Sequence, residues 1–146
     1  MKALLQRVSE AEVRVAGHAV GAIGPGLLVL LGVAGNDTEQ HARKLAQRVA
    51  TYRMFADAEG KTNLSVLDTS AAALVVSQFT LAADTSSGRR PSFSSAAAPE
   101  LAEHLYEHFV QALQATGVQV ATGQFGADMQ VQLINDGPMT FLLEVE

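Results

Sequence analysis

Apolar and polar residues alternate along several short stretches of the chain, and this alternation predicts strands. Met129, Val131 and Leu133 are apolar while Gln130 and Gln132 between them are polar, so this strand has one face toward water. An apolar run at 27–33, interrupted only by Gly32, predicts a buried strand. The full set of predicted strands spans residues 2–8, 12–15, 19–23, 27–33, 73–79, 118–122, 129–134 and 141–145.

Two apolar stripes with helical spacing predict two helices. Asp37 is the expected N-cap of the first helix, with Gln40 as its capping-box partner. The second helix is expected to begin at Pro99 and to end at Gly117. The residues predicted to face the core are Ala42, Leu45, Ala46 and Val49 in the first helix and Leu101, Leu105, Phe109 and Leu113 in the second. Strands outnumber helices without a regular strand–helix–strand rhythm. The predicted class is therefore α+β, with a mainly antiparallel, partly barrel-like sheet and two packed helices.

Composition narrows the class of protein further. The 146 residues are expected to form one domain, 1–146, and the absence of cysteine excludes disulfides and thiolate chemistry. No apolar run reaches ~18 residues and polar residues interrupt the N-terminal run, so neither a membrane span nor a signal peptide is predicted. The expected location is the cytoplasm. The net charge of −5 disfavours non-specific nucleic-acid binding.

Positive charge is nevertheless concentrated at two places. Arg89 and Arg90 are neighbours in a polar loop. Lys44 and Arg48 share one face of the first predicted helix because they are four residues apart. Both pairs are candidates for contacts with phosphate groups, and ordinary solvated surface charge is the alternative for both.

One stretch matches H-x-x-E-H, a pattern of zinc ligands on a helix. His104 and His108 would bind the metal and Glu107 would act as the base. A third ligand would have to come from the downstream carboxylates, which are Asp128, Asp136, Glu144 and Glu146. The same two histidines flank the apolar stripe of the second helix, so a half-exposed helix edge is the simpler interpretation. No metal is predicted.

The segment 77–80, Ser-Gln-Phe-Thr, lies where a buried strand is predicted to end and a loop to begin, a frequent position for functional groups. Alternation would place Ser77 and Phe79 on one face of the strand and Gln78 and Thr80 on the other. No histidine is placed to mark Ser or Thr as an activated nucleophile. An active site here would act by positioning and backbone dipoles. A strand end whose side chains cap backbone groups is the alternative.

The segment 135–140, Asn-Asp-Gly-Pro-Met-Thr, separates the last two predicted strands. Asp136 and Gly137 would ordinarily predict a tight hairpin turn. Pro138 contradicts that interpretation because it has no backbone N–H and cannot join a ladder. Gly137 adds no side chain, so this Gly-Pro corner presents bare backbone atoms at one fixed place. Such a corner suits recognition of shape at close range.

With these two segments in this order, the chain resembles the D-aminoacyl-tRNA deacylase family from end to end. Further matching segments are Gln-Arg-Val at 6–8, Gly-Ala-Ile-Gly-Pro-Gly-Leu at 21–27, Asn-Leu-Ser at 63–65, Gly-Arg-Arg-Pro-Ser-Phe at 88–93 and Phe-Gly-Ala at 125–127. Met139 stands where the family usually has Val, an apolar replacement that affects local packing only.

The resemblance implies a homodimeric hydrolase without a cofactor. Its reaction would be cleavage of the ester between a D-amino acid and tRNA, together with removal of glycine wrongly placed on tRNA. The Gly137–Pro138 bond would be cis and would enter the partner subunit's pocket, where a rigid backbone wall rejects L-amino acids, and Arg7 would brace it. Neither a membrane nor DNA is expected as a partner. The implied pocket residues are Ser77, Gln78, Phe79 and Thr80, of which the last three are the expected catalytic residues, and Arg89 and Arg90 are expected to contact tRNA.

The expected chemistry suits a site that is poor in charged groups, because an aminoacyl ester is already activated. Backbone N–H groups near Phe79 and Thr80 are the candidate oxyanion donors. The ribose 2′-hydroxyl beside the ester would orient or activate the water, with the Thr80 hydroxyl as the alternative. A non-catalytic module that binds tRNA or a D-amino acid is the rival class of function. A zinc peptidase using His104, Glu107 and His108 is a third.

Overall fold

One long strand organises the sheet. In the computed structural model, which describes residues 1–146, this strand is β1 (Lys2–Val15). It pairs antiparallel with β2 (His18–Ile23) and β3 (Gly26–Gly32), and over most of its length with β8 (Gln130–Glu144). The two strands predicted at 2–8 and 12–15 are therefore one. The exposed polar residues Ser9 and Glu10 interrupt the apolar pattern where the strand changes register against β8, but they do not end it.

The other half of the sheet is parallel. β3 pairs parallel with β6 (Ala72–Ser77), and β6 pairs parallel with β7 (Gln119–Thr122). The strand order is β2-β1-β3-β6-β7, with β8 on β1. The sheet is thus mixed, and the prediction of a mainly antiparallel sheet was wrong for this half. The reason is that α1 (Glu39–Thr51) and α3 (Pro99–Ala115) each lie in a crossover between parallel strands.

The two ends of the sheet approach each other. A Cβ added to Gly21 on β2 would lie 2.1 Å from the carbonyl oxygen of Thr122 on β7, so only glycine permits this approach. The sheet is therefore nearly closed and barrel-like. The smaller elements were not predicted. They are a hairpin formed by β4 (Phe55–Ala56) and β5 (Thr62–Leu64), a third helix, α2 (Val66–Thr69), and a 3₁₀ turn (Phe79–Ala82).

The larger core lies between one face of the sheet and the two long helices. All four residues predicted for the apolar stripe of α1 are fully buried there. In α3, Leu105, Phe109 and Leu113 are buried as predicted, whereas Leu101 is half-buried. A second, smaller core fills the inside of the curled sheet and includes Val8, Val13, Leu28, Leu74 and Val76.

Asp37 does not cap α1. The N-cap is Thr38, whose Oγ1 accepts a hydrogen bond from the backbone N–H of His41 at 3.4 Å, and His41 rather than Gln40 completes the capping box. Asp37 is instead buried, and its carboxylate accepts hydrogen bonds from the Met1 ammonium at 2.7 Å and from the N–H of Ala34 at 2.7 Å. A buried carboxylate needs such partners, so Asp37 is not available to cap the helix and Thr38 takes that position.

None of the helices has the length and apolar character that a membrane-spanning helix requires.

Candidate active site

The segment 77–80 leaves the sheet earlier than predicted. β6 ends at Ser77, the N–H of Gln78 donates to the Leu31 carbonyl at 2.8 Å, and the 3₁₀ turn begins at Phe79. The prediction that Ser77 and Phe79 share a strand face was wrong, because Phe79 is no longer on the strand. The turn packs directly on the end of β3, where a Cβ on Gly32 would lie 2.7 Å from Leu81 Cβ.

The turn borders an apolar pocket of about 650 Å³. Ser77, Gln78 and Phe79 line one side of it. The ring of Phe79, 57% exposed, packs against that of Phe93 with a centroid distance of 5.4 Å. The remaining walls come from Val76, Ala96, Ala97, Ala98, Pro99, Ala102, Phe125, Gly126, Ala127, Asp128, Met129 and Val131. Asp128 is the one ionisable residue among them, so the pocket suits an apolar or neutral ligand with few polar contacts.

Thr80 does not line this pocket. Its side chain is exposed, and its Oγ1 accepts a hydrogen bond from Gln78 Nε2 at 2.6 Å. An amide is not a base at neutral pH, and no histidine, carboxylate or amine makes a hydrogen bond to this hydroxyl. Thr80 therefore lacks the neighbouring base that an attacking hydroxyl requires.

Two backbone donors of the turn precede its own ladder of hydrogen bonds. The hydrogen bonds of the turn begin with the N–H of Leu81, which donates to the Gln78 carbonyl at 3.2 Å. The N–H of Ala83 donates to the Thr80 carbonyl at 3.2 Å. The N–H groups of Phe79 and Thr80 precede this ladder, as the first donors of any helix do. They are therefore the candidate backbone donors to a ligand, Phe79 from the pocket lining and Thr80 from the next residue along the turn.

The Gly-Pro corner is a protrusion of β8. Asn135 pairs with Val8 and Thr140 with Gln6, so the four residues 136–139 stand opposite Arg7 alone. The prediction of two separate strands is replaced by one strand that bulges outward here. Gly137 and Pro138 are exposed, and the peptide bond between them is cis, the isomer that the resemblance implies.

Arg7 and Asn135 hold the base of this corner. Arg7 Nε donates to the Asp136 carbonyl at 3.1 Å and forms an ion pair with the Asp136 carboxylate at 3.1 Å. Arg7 Nη1 donates to the Met54 carbonyl at 3.0 Å, and Asn135 Nδ2 donates to the Arg7 carbonyl at 2.8 Å. The corner is thus fastened at both sides while its tip remains free. None of the residues that line the pocket of the same chain belongs to it.

Arg89 and Arg90 lie at the tip of an exposed loop next to the pocket. The base of the loop is closed by mutual backbone hydrogen bonds between Asp84 and Ser92, at 2.8 and 3.0 Å, and Phe93 of the pocket follows directly. Hydrogen bonds from Ser86 lower the pKa of Asp84, which keeps its carboxylate charged. Neither arginine has a carboxylate partner, so both charges face solvent.

The H-x-x-E-H histidines face α1 rather than the pocket. His104 Nε2 lies 2.8 Å from Glu39 Oε1, and His108 Nε2 lies 3.3 Å from Arg43 Nη1. The hydrogen bond from His104 is the main reason that the pKa of Glu39 is lowered. No group of three or more His, Asp or Glu side chains comes together in a metal-binding arrangement. The pattern follows the contact between α1 and α3.

Tyr106 supports the pocket from behind. Its ring packs against the pocket residue Phe125 at a centroid distance of 6.0 Å, and its hydroxyl donates to the Val75 carbonyl at 2.8 Å. Burial, with a smaller contribution from the Glu107 charge, raises the pKa of Tyr106 to about 12. Tyr106 therefore stays protonated and holds this wall in place.

Most of the pocket wall has no distinctive signal in the sequence. Ala96, Ala97 and Ala98 precede α3 and bring no functional group, and Met129 and Val131 belong to the alternating pattern at the start of β8 and just before it. Their only signal was small or apolar character, which core residues share. Phe93 and Phe125 lay in segments that supported the resemblance, but nothing in the sequence marked them as pocket residues.

Comparison with known proteins identifies the family of this chain. A family model described as D-Tyr-tRNA(Tyr) deacylase matches residues 4–144. The D-aminoacyl-tRNA deacylase of Idiomarina loihiensis is 61% identical over 145 residues, covering 99% of this chain and 100% of the relative. That of Klebsiella pneumoniae subsp. pneumoniae is 59% identical over 145 residues, covering 99% of this chain and 100% of the relative. That of Chloroflexus aurantiacus is 59% identical over 144 residues, covering 99% and 90%.

Two solved structures share the fold. One, described as c-Myc DNA Unwinding Element Binding Protein, has a TM-score of 0.95 and 40% identity, covering 100% of this chain and 99% of the other. The second, described as a probable eukaryotic D-amino acid tRNA deacylase, has a TM-score of 0.87 and 16% identity, covering 99% and 98%. Fold and site define an α+β protein with a small, largely uncharged ligand pocket. The chain belongs to the D-Tyr-tRNA(Tyr) deacylase family.

Proposed function

We propose that the protein hydrolyses the ester bond of D-aminoacyl-tRNA and releases free tRNA and the D-amino acid. The observation that carries this proposal is a pocket edged by Ser77, Gln78 and Phe79 in a chain 61% identical to a D-aminoacyl-tRNA deacylase over 99% of its length. Aminoacyl-tRNA is made and used where translation takes place, so we assign the enzyme to the cytoplasm. It needs neither a cofactor nor a metal in this proposal.

The reaction is the attack of water on the ester carbonyl, with the ribose 3′-oxygen of the terminal adenosine as the leaving group. The N–H groups of Phe79 and Thr80, which precede the hydrogen bonds of the turn, stabilise the negative charge that develops on the carbonyl oxygen. One such donor contributes about 2.7–4 kcal/mol to the transition state, and positioning adds to it. The ribose 2′-hydroxyl orients the attacking water, since Thr80 has no base beside it.

Chirality is read by the Gly137–Pro138 corner of the partner subunit. Two features support this arrangement: the tip of the corner is exposed, and the corner lies outside the pocket of its own chain. In a homodimer each corner would close the other subunit's pocket and place a backbone wall against the substrate α-carbon. Hydrogen passes this wall and a side chain does not. The substrates are therefore D-aminoacyl-tRNA and glycyl-tRNA.

The assay that tests the function uses protein in substoichiometric amount with labelled D-aminoacyl-tRNA. Release of many equivalents of D-amino acid per protein supports the proposal. Retention of the substrate without release would support the rival, a non-catalytic module that binds tRNA or a D-amino acid. DNA is not a ligand in this proposal because the chain carries a net charge of −5. A duplex DNA competitor should leave the rate unchanged at 0.15 M salt.

A homodimer is the expected state in solution. The chain has a mass of 15.4 kDa, so light scattering should give about twice that value at the concentrations used for assays. The activity per subunit should fall when dilution dissociates the dimer, because each pocket would lose the corner that completes it. A monomer with full activity would contradict the cross-subunit site.

Gly137→Ala should damage activity without damaging the fold. Within the protomer the added Cβ would meet only the side chain of Asn135, with Oδ1 at 3.1 Å, so the chain itself accommodates the methyl group with a small adjustment. The pocket of the partner subunit would not, and we expect kcat/KM for D-tyrosyl-tRNA to fall at least about tenfold, or about 1.4 kcal/mol.

Gly24→Ala is the matched control. It adds the same methyl group in a turn where nothing lies within 4 Å of the new Cβ. Both variants should unfold within a few degrees of the unsubstituted protein. Equal kcat/KM for Gly137→Ala and Gly24→Ala would remove the corner from the active site.

A further inference from the structure

Lys and Arg side chains without an ion pair occur in only two regions. Of the ten Lys and Arg side chains, five form ion pairs: Lys2, Arg7, Arg14, Arg43 and Lys61. Arg89 and Arg90 account for two of the remaining five. The other three, Lys44, Arg48 and Arg53, lie within ten residues that run from the middle of α1 to just past its end. A free cationic cluster on a chain of net charge −5 is a candidate contact for an anion.

The last two of these arginines form the sides of a shallow groove of about 460 Å³. It is lined by Arg48, Thr51, Tyr52 and Arg53 alone, so none of its lining residues is acidic. The Asp68 carboxylate, outside the groove, feels the charge of Arg53 but forms no ion pair with it. Both guanidinium groups are held in place by neutral acceptors. Arg48 Nη1 donates to the Glu144 carbonyl at 2.7 Å, and Arg53 Nη1 donates to Asn63 Oδ1 at 3.2 Å. Each guanidinium keeps further N–H donors for a ligand.

The groove lies next to the Gly-Pro corner of the same chain. Arg7 connects the two directly, since its guanidinium donates to the Met54 carbonyl and to the Asp136 carbonyl. The ring of Tyr52 packs on that of Phe141, three residues after Pro138, at a centroid distance of 5.6 Å. The contact of Arg48 with Glu144 extends the same side along β8. A molecule that runs past the corner therefore meets Arg53 and Arg48.

We propose that this groove binds the sugar-phosphate backbone of the tRNA whose 3′ end occupies the partner subunit's pocket. The inference rests on the proposed function: if the corner of one subunit closes the other's pocket, the groove lies beside the mouth of that pocket. Planar guanidinium groups bind phosphate through paired hydrogen bonds, and the exposed loop arginines 89 and 90 lie beside the pocket of the subunit that holds the ester. The strand is thus held by both subunits.

The test compares two substrates of one double variant. Arg48→Gln/Arg53→Gln should lower kcat/KM for whole D-tyrosyl-tRNA about 10–100-fold at 0.15 M salt. It should leave D-tyrosyl-adenosine, which has no phosphate, within about twofold of the unsubstituted protein. The slope of log kcat/KM against log salt should become shallower by about 1–2, because two phosphate contacts are lost.

Arg14→Gln/Arg43→Gln is the matched control, since it removes two positive charges that already have carboxylate partners. Its kcat/KM for whole tRNA should stay within about twofold. Equal activity of the two double variants on tRNA would overturn the proposal, and so would an equal loss on both substrates. A protein that hydrolyses neither substrate before substitution would instead refute the proposed function, so the two failures are distinguishable.

Mixed dimers decide which subunit supplies the groove. Ala96→Trp fills the pocket of one subunit, while the other carries Arg48→Gln/Arg53→Gln. The open pocket then belongs to the subunit that carries Arg48→Gln/Arg53→Gln. The groove beside that pocket belongs to the other subunit, whose own pocket is filled by Ala96→Trp. Full kcat/KM per open pocket on whole tRNA is expected. The 10–100-fold loss in this dimer would show that the groove serves the pocket of its own chain, and the proposal would be wrong.

Discussion

D-Tyrosyl-tRNA should be hydrolysed at least about 10³-fold faster than L-tyrosyl-tRNA, measured as kcat/KM. That ratio corresponds to about 4 kcal/mol of discrimination between two substrates with identical groups. The proposed wall at Gly137 and Pro138 supplies it by exclusion, because backbone atoms held by Arg7 and Asn135 cannot move aside as a flexible side chain would. The size of the amino acid should therefore matter little.

The alanine pair separates this wall from a site that merely measures side-chain volume. Compared with glycyl-tRNA, L-alanyl-tRNA has one more methyl group, on the side that the wall rejects. It should therefore remain uncleaved, whereas D-alanyl-tRNA and glycyl-tRNA should be cleaved. Single-turnover rates with excess protein give the comparison without differences in product release. Comparable rates for L- and D-alanyl-tRNA would refute exclusion by the corner, even if the tyrosine pair were still discriminated.

Local pattern was enough to predict most of the elements that carry this site. Strand β8 was visible because Val131 and Leu133 alternate with glutamines, and α3 because its apolar residues recur every three or four positions. The parallel half of the sheet was missed although a signal existed. The continuous apolar runs of β3 and β6 are typical of parallel strands buried on both faces.

The end of β6 could not be predicted in the same way. Phe79 and Thr80 both have high strand propensity, so the local sequence favours continuation of the strand. What ends the strand is a tertiary contact: the turn at 79–82 packs on the bare backbone of Gly32, 47 to 50 residues earlier in the chain. The true geometry exposes Phe79 at the pocket edge and turns Thr80 away from it.

The pocket and the groove show the same limit at longer range. Ser77 and Gln78 were identified from their segment, but Phe93 and Phe125 join them only through the packing of a loop and of the chain after β7. Lys44 and Arg48 were visible as a pair on one helix face. Arg53 lies beyond the end of α1, and its contact with Asn63 depends on the unpredicted hairpin of β4 and β5.

The remaining large effect concerns the group that assists the attacking water. A D-aminoacyl-tRNA ending in 2′-deoxyadenosine should be cleaved at least about 100-fold more slowly than the ribose substrate, since a positioned acid–base group typically contributes 10²–10⁴-fold. Thr80→Ala should retain activity within about fivefold. The structure gives the reason: the Thr80 hydroxyl lies outside the pocket lining and has only an amide, Gln78 Nε2, beside it.

Single-turnover rates are measured for Thr80→Ala on the ribose substrate and for the unsubstituted protein on the deoxy substrate, both carrying the same D-amino acid. Thr80→Ser is the conservative control. Binding of a non-hydrolysable amide analogue should be equal for all three proteins, which separates chemistry from affinity. If Thr80→Ala abolished hydrolysis with binding intact, if Thr80→Ser restored it and if the deoxy substrate reacted normally, the protein hydroxyl would be the catalyst. The N–H groups of Phe79 and Thr80 would then stabilise the oxyanion that forms when the Thr80 hydroxyl, or a water that it activates, attacks the ester carbonyl.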